Sequence, residues 1–173
     1  AAALAKTVMI RLNGGLGTSM GMAQAKSLVP VRGGKTFLDL IVAQVRYVRA
    51  TTGARLPLTL MNSFRTRTDT LAALEQYPDL SVGDLPLDFV QNKEPKIAAD
   101  DLMPIEWPTD PELEWCPPGH GDLYTALHES HLVDQLIDAG FRYVFCANGD
   151  NLGATVDGRV AAWFAASGAP YAA

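Results

Sequence analysis

The stretch that decides the fold runs from Val8 to Val31, VMIRLNGGLGTSMGMAQAKSLVPV. Val8, Met9, Ile10 and Leu12 are apolar and rich in strand formers, which predicts a buried strand spanning Lys6 to Leu12. The run breaks at Asn13 into a loop with glycines at 14, 15, 17 and 21. A residue without Cβ lets backbone N–H groups close on an anion, and Lys26 supplies a cation at the far end. Strand, glycine loop and lysine together point to a triphosphate site. The loop is no Walker A motif, because Ala25-Lys26-Ser27 stands where Gly-Lys-Ser/Thr would end it. Gly15 to Gly21 also reads as G-x-G-x-x-x-G, a relative of the dinucleotide fingerprint. That reading wants an acidic residue about 20 positions on, after a second strand, to hold a ribose. The candidate is Asp39, which lies in a helix start, so the dinucleotide reading is weakened.

Downstream, Thr36 to Thr52 is the clearest helix. Thr36 caps it with Asp39 three residues on, Leu38, Ile41, Val42, Val45 and Val48 form one stripe, and Gly53 stops it. Leu58–Met61 and Leu87–Val90 read as strands with a short helix between, begun near Asp69 and ending before Pro78. Five of the eleven prolines lie between positions 104 and 118, within an aperiodic stretch from Asn92 to Pro118. Its length, with Trp107 and Trp115, predicts an ordered excursion packed beside the site. Gly119-His120-Gly121-Asp122 then opens a helix running to Gly140. Tyr143–Ala147 reads as a central parallel strand, apolar throughout. Val156 to Ala166 is a last helix, and Pro170–Ala173 begins a further strand. Strands alternating with helices give an α/β class with a mostly parallel sheet.

Ligands in such sheets bind beyond the carboxyl ends of the strands, where Asn13 to Gly15, Asn62-Ser63, Gln91 and Asn148 to Asp150 all fall. Lys26 suits phosphate as a flexible point cation. Asp150 suits Mg²⁺, which takes one or two carboxylates plus phosphate oxygens, or it closes a turn as an Asx residue. Gln91 carries donors and an acceptor that can pair with a uracil edge. His120, between two glycines, faces whatever approaches that backbone. His128 and His131 are three residues apart, but no spacing completes a zinc set with His120.

Composition narrows the class further. At 173 residues with 48% hydrophobic content, the chain suits one domain with an ample core. A net charge of −5 without a basic cluster disfavours nucleic-acid binding. No apolar run approaches the ~20 residues of a membrane span, and Ala1–Ala5 is too short for the core of a signal peptide. Cys116 and Cys146 have no metal-like spacing. A cytoplasmic protein is expected.

The segment LNGGLGTSMG followed by KS resembles the nucleotide-binding loop of the UTP–glucose-1-phosphate uridylyltransferase family. Leu60–Phe64, Pro117–Asp122 and Asn148–Ala154 resemble the same family in the same order. Gln24-Ala25 departs from its usual Gly-Pro before the lysine, and Gly149 replaces a residue that is commonly bulkier. The resemblance implies a Rossmann-like, GT-A-like nucleotidyltransferase fold, here only its nucleotide-binding part (1–173), with further sugar contacts, a second phosphate-binding lysine and a C-terminal β-helix in longer relatives. It implies formation of UDP-glucose and pyrophosphate from UTP and glucose 1-phosphate with Mg²⁺. Lys26 and Asp150 are then catalytic, with Asp150 the metal ligand. Leu12, Asn13, Gly14, Gly15, Gln91 and Gly119 hold the uridine end, His120 the sugar phosphate, and Asn148 with Asp150 the ribose and metal. A pyrophosphorylase for another sugar phosphate and a non-catalytic UTP-binding module are the alternatives. An incomplete sheet would expose an edge, which leaves room for homo-oligomerisation.

Overall fold

A computed structural model of the chain describes residues 2–16 and 24–173. Gly17 and Gly21 of the expected phosphate loop lie outside the described residues. The first strand, β1 (Thr7–Asn13), is followed by a small hairpin of β2 (Pro30–Arg32) and β3 (Lys35–Thr36). Helix α1 (Phe37–Thr52) leads to β4 (Leu58–Asn62), α2 (Arg67–Leu74) and β5 (Asp88–Val90). After a two-stranded ladder of β6 (Glu94–Pro95) and β7 (Trp115–Cys116) come α3 (Leu123–Glu129), α4 (Leu132–Asp138), β8 (Tyr143–Asn148) and α5 (Gly158–Ser167).

The main sheet has the order β5-β4-β1-β8, and every pairing in it is parallel. Successive side chains of β1 point to opposite faces, so each face acquires its own core. Met9 joins Leu38, Ile41, Val45, Leu58 and Leu60 beneath α1. Val8 and Ile10 join Met61, Phe89, Leu127 and Leu136 beneath α3 and α4. Helices on both faces are what a parallel sheet needs, because crossovers must return over it. The start of α1 matches its sequence: Thr36 Oγ1 accepts from the Asp39 amide at 3.1 Å, and the Thr36 amide donates to Asp39 Oδ2 at 2.8 Å. Gly53 ends the helix at φ 71, in the left-handed region. Asp39 is therefore occupied as a cap, and Tyr77 donates to its other oxygen at 2.7 Å.

Four expectations need correction. Residues 122–140 form two helices, not one, broken at His131, whose φ is 55. The apolar stripe Leu123, Leu127, Leu132, Leu136 contains a five-residue step, which turns a helix about 140° past a full turn and puts its halves out of phase. Among the described residues the strand Tyr143–Asn148 is the last of the sheet and alternates in exposure, with Val144 47% exposed. Val144 and Cys146 share the face of Val8 and Ile10, but no β8 residue reaches the α3–α4 core. The excursion is packed down through Trp115, whose ring lies 4.7 Å from Lys93 Nζ, and through Arg65, which donates to the Glu112 carbonyl at 2.8 Å; Trp107 is exposed. Finally, Pro170–Ala173 forms no strand.

Candidate active site

The sheet order places a switch point at β1: the chain leaves β1 for β4 on one side and later returns to β8 on the other. Crevices at such points, outside the carboxyl ends of the strands, are where open α/β sheets bind ligands. Here the paired ends are Leu12 and Asn148, in register with each other. A cleft opens above them, lined by Leu12, Asn13, Gly15, Lys26, His120, Asn148, Gly149 and Asp150.

The glycine loop returns close to where it leaves. Leu16 bridges to Ala25, and the Lys26 amide donates to the Gly15 carbonyl at 3.0 Å. This turn brings Lys26 Nζ to 3.7 Å from Asp150 Oδ2, across the cleft, with both side chains about two-fifths exposed. An exposed pair of this kind contributes at most about 1 kcal/mol to stability. The pair puts one cation and one carboxylate side by side on the lining of the cleft.

The floor of the site is a buried polar network. Asn13 Nδ2 donates to Asn62 Oδ1 at 2.7 Å and to Thr70 Oγ1 at 2.9 Å. Asn62 Nδ2 in turn donates to Asp88 Oδ2, which also takes Arg67 Nε at 2.8 Å. Ser63 Oγ donates to the Gly14 carbonyl at 2.9 Å, fixing the start of the loop. Asn13 is thus anchored to β4 and α2 by its side-chain nitrogen while the residue lines the cleft. Gly149 lies so close that a Cβ there would meet the Leu12 carbonyl oxygen at 3.0 Å and Asn13 Oδ1 at 3.1 Å.

Gln91 is buried beside the loop, its amide to Asn62 closing the end of β5 at 2.8 Å. A Cβ on Gly14 would meet Gln91 Nε2 at 2.5 Å, so glycine at 14 is what admits this side chain. Gly14 and Gln91 flank the cleft without lining it, and Gly119 stands behind His120 at φ 106. Asp122 pins that segment to the end of β5, accepting from the Asn92 amide at 2.6 Å and from its Nδ2 at 3.0 Å.

Sequence reasoning missed Arg11. It is fully buried within β1, where burial holds its guanidinium below the ordinary value, with nearby Cys146 opposing. A lone arginine inside an otherwise apolar strand was the available signal. Gly149 and Ser63 were visible only as parts of motifs.

Among the described residues no cluster of three His, Cys, Asp or Glu could enclose a metal. The donor set fits Mg²⁺ nonetheless, since that ion binds through one or two carboxylates plus substrate phosphates. Asp150 would hold it.

The family model for UTP–glucose-1-phosphate uridylyltransferase matches residues 1–173. The chain belongs to this family. It is 44% identical over 170 residues to UTP–glucose-1-phosphate uridylyltransferase of Saccharomyces cerevisiae, covering 97% of this chain and 34% of that protein. Against the Solanum tuberosum protein of the same name it is 45% identical over 155 residues, 89% of this chain and 32% of the relative. A UDP-glucose pyrophosphorylase variant from Leishmania major, in complex with UDP-glucose, superposes with a TM-score of 0.87 at 48% identity, covering 96% of this chain and 35% of that one. A Trypanosoma brucei UDP-glucose phosphorylase gives 0.88 at 44%, covering 95% and 36%. The uridylyltransferase match thus extends over nearly all of this chain, which spans about a third of the length of these relatives.

Proposed function

We propose that this chain forms the nucleotide-binding part of an enzyme that makes UDP-glucose and pyrophosphate from UTP and glucose 1-phosphate. The observation that carries the reading is the meeting of Lys26 and Asp150 across the cleft at the β1–β8 switch point, 3.7 Å apart. An oxygen of the sugar phosphate attacks the α-phosphorus of UTP; the new P–O bond forms as the bond to the departing pyrophosphate breaks. The attacking oxygen is already ionised, so no general base is required. Catalysis reduces to orienting two polyanions and offsetting their charge.

Lys26 neutralises phosphate charge from the loop side of the cleft. Asp150 holds Mg²⁺, which when bound offsets triphosphate charge. Gln91 offers the uracil edge a donor and an acceptor, and Gly14 keeps that edge within reach. His120 meets the sugar phosphate, while Asn148 hydrogen-bonds the ribose. Leu12 contributes at the end of β1, and Gly15 and Gly119 present backbone without side-chain bulk.

A cytoplasmic setting is part of this proposal, and free Cys116 and Cys146 are compatible with a reducing compartment. No helix among the described residues is long and apolar enough to cross a membrane. A net charge of −5 gives no footing for nucleic acid.

Pyrophosphate release tests the assignment. Release should require both UTP and glucose 1-phosphate and fall ~10²-fold in Lys26→Ala, as loss of a preorganised charge does. Release that is unchanged in the variant, or supported by another sugar phosphate in preference, overturns it.

A further inference from the structure

Among the described residues Arg11 is the most completely buried cation, and no carboxylate among them pairs with it. Its guanidinium instead donates to backbone carbonyls of the turn after β8: Nη1 to Asn148 at 3.1 Å and to Asn151 at 2.9 Å, Nη2 to Ala154 at 2.6 Å. Nη2 also reaches Gln44 Oε1 on α1 at 3.4 Å, and Gln44 Nε2 donates to the Leu152 carbonyl at 2.9 Å. Four carbonyls of one seven-residue turn are therefore held by two side chains from β1 and α1. Arg11 Nε meets no hydrogen-bond partner among the described residues.

Leaving a guanidinium buried without a counter-ion is costly, and a leucine here would pack at less expense. The turn is otherwise held locally: the Asn151 amide donates to the Asn148 carbonyl at 3.2 Å, and Leu152 packs against the core beneath α1. Asn151 Oδ1 accepts from the Gly153 and Ala154 amides, and the Gly149 amide donates to the Leu12 carbonyl. Of these only the Gly149 bond reaches β1, and it holds the start of the turn without spanning it. The planar fork spans it, and its donors are fixed with respect to one another.

We propose that Arg11, with Gln44, is a positioning residue that fixes the 148–154 turn and so places the Asp150 carboxylate opposite Lys26. The inference rests on the reading of Asp150 as the Mg²⁺ ligand of the UTP site. It assigns to β1 a second duty besides launching the glycine loop: one strand sets both walls of the cleft.

A double-mutant cycle tests it, with calorimetric UTP binding measured in MgCl₂ and in EDTA for the 173-residue chain, Arg11→Lys, Asp150→Asn and their combination. Lysine keeps the charge but cannot fork to three carbonyls. Arg11→Lys is expected to weaken UTP binding about tenfold in Mg²⁺ and under twofold in EDTA. In the Asp150→Asn background it should change nothing further, since it acts through that carboxylate. Gln44→Leu, at a half-buried helix position, should give a smaller loss with the same Mg²⁺ dependence, and it serves if Arg11→Lys does not fold. Hydrogen exchange at Gly149, Asn151, Gly153 and Ala154 should rise at least tenfold in Arg11→Lys while β4 amides hold, a readout independent of UTP. Additive losses in the cycle, equal losses with and without Mg²⁺, or unchanged exchange in the turn would each overturn the clamp. Asp150→Asn without effect in Mg²⁺ would instead overturn the metal reading, whatever the exchange data show.

Discussion

Replacing Gly14 by alanine is the sharpest single test of the proposed base site. The new Cβ would sit 2.5 Å from Gln91 Nε2, 2.9 Å from its Cδ and 3.0 Å from its Oε1. Non-bonded heavy atoms settle near 3.5 Å, so the amide must retreat by about 1 Å. A hydrogen bond of about 2.9 Å lengthened by that amount no longer qualifies as one. With Gln91 only 5% exposed, no water readily replaces the lost partner. An unsatisfied buried group costs about 1–3 kcal/mol, which predicts a rise in the UTP dissociation constant of about 5- to 150-fold. The fold should tolerate the change, because the clash falls on the end of a side chain and alanine narrows the unfolded ensemble. Calorimetry with UTP, and with inorganic triphosphate as a ligand lacking the base, separates the two effects. UTP should weaken and triphosphate should not. In a Gln91→Ala background Gly14→Ala should cost nothing more, since the clash partner is gone. Equal weakening of both ligands would show that the alanine disturbs the phosphate loop, and an unchanged UTP constant would remove Gln91 from base recognition.

Three further outcomes are expected. Asp150→Asn should shift the Mg²⁺ titration of UTP binding to higher concentration by tenfold or more, with identical titrations refuting its metal role. Asn13→Asp places a carboxylate oxygen against Asn62 Oδ1, 2.7 Å away, where an amide now donates; a loss of at least about 2 kcal/mol in urea unfolding is expected, and a loss below 0.5 would be too small for a buried acceptor pair. The Tyr77 hydroxyl, half-buried and donating to Asp39, is pushed up to about 12 by burial and then by that carboxylate. The raised value means its contribution is complete below the ordinary value of about 10 and is lost as pH climbs from there toward 12. Urea midpoints should therefore fall between pH 10 and 12 more steeply for the native chain than for Tyr77→Phe; parallel curves would exclude the link.

Local chemistry was legible in this sequence, and long-range partnership was not. The cap at Thr36 with Asp39, the stop at Gly53 and the strand ends at Asn13 and Gln91 are written in neighbouring residues, and they stand as read. Lys26, Asp150, Asn148 and His120 were expected to converge, and one cleft receives them. Arg11 escaped because three of its four partners are backbone carbonyls 137 to 143 positions away, and a carbonyl carries no residue-type signature. The edge position of β8 escaped for a related reason: an apolar strand reads alike whether helices cover one face of it or both. The break at His131 was available in the five-residue step between Leu127 and Leu132, but a left-handed histidine is not foreseeable from its type. Trp107 stands exposed where composition alone favoured burial.

The measurement closest to the central claim is titration of the chain with UTP in Mg²⁺, with ATP as control, repeated on Lys26→Ala. Saturable binding of UTP, at least tenfold tighter than ATP and lost in the variant, is the predicted result. Equal affinity for the two nucleotides, or UTP binding untouched by removing Lys26, would contradict the placement of the uridine triphosphate in the β1–β8 cleft.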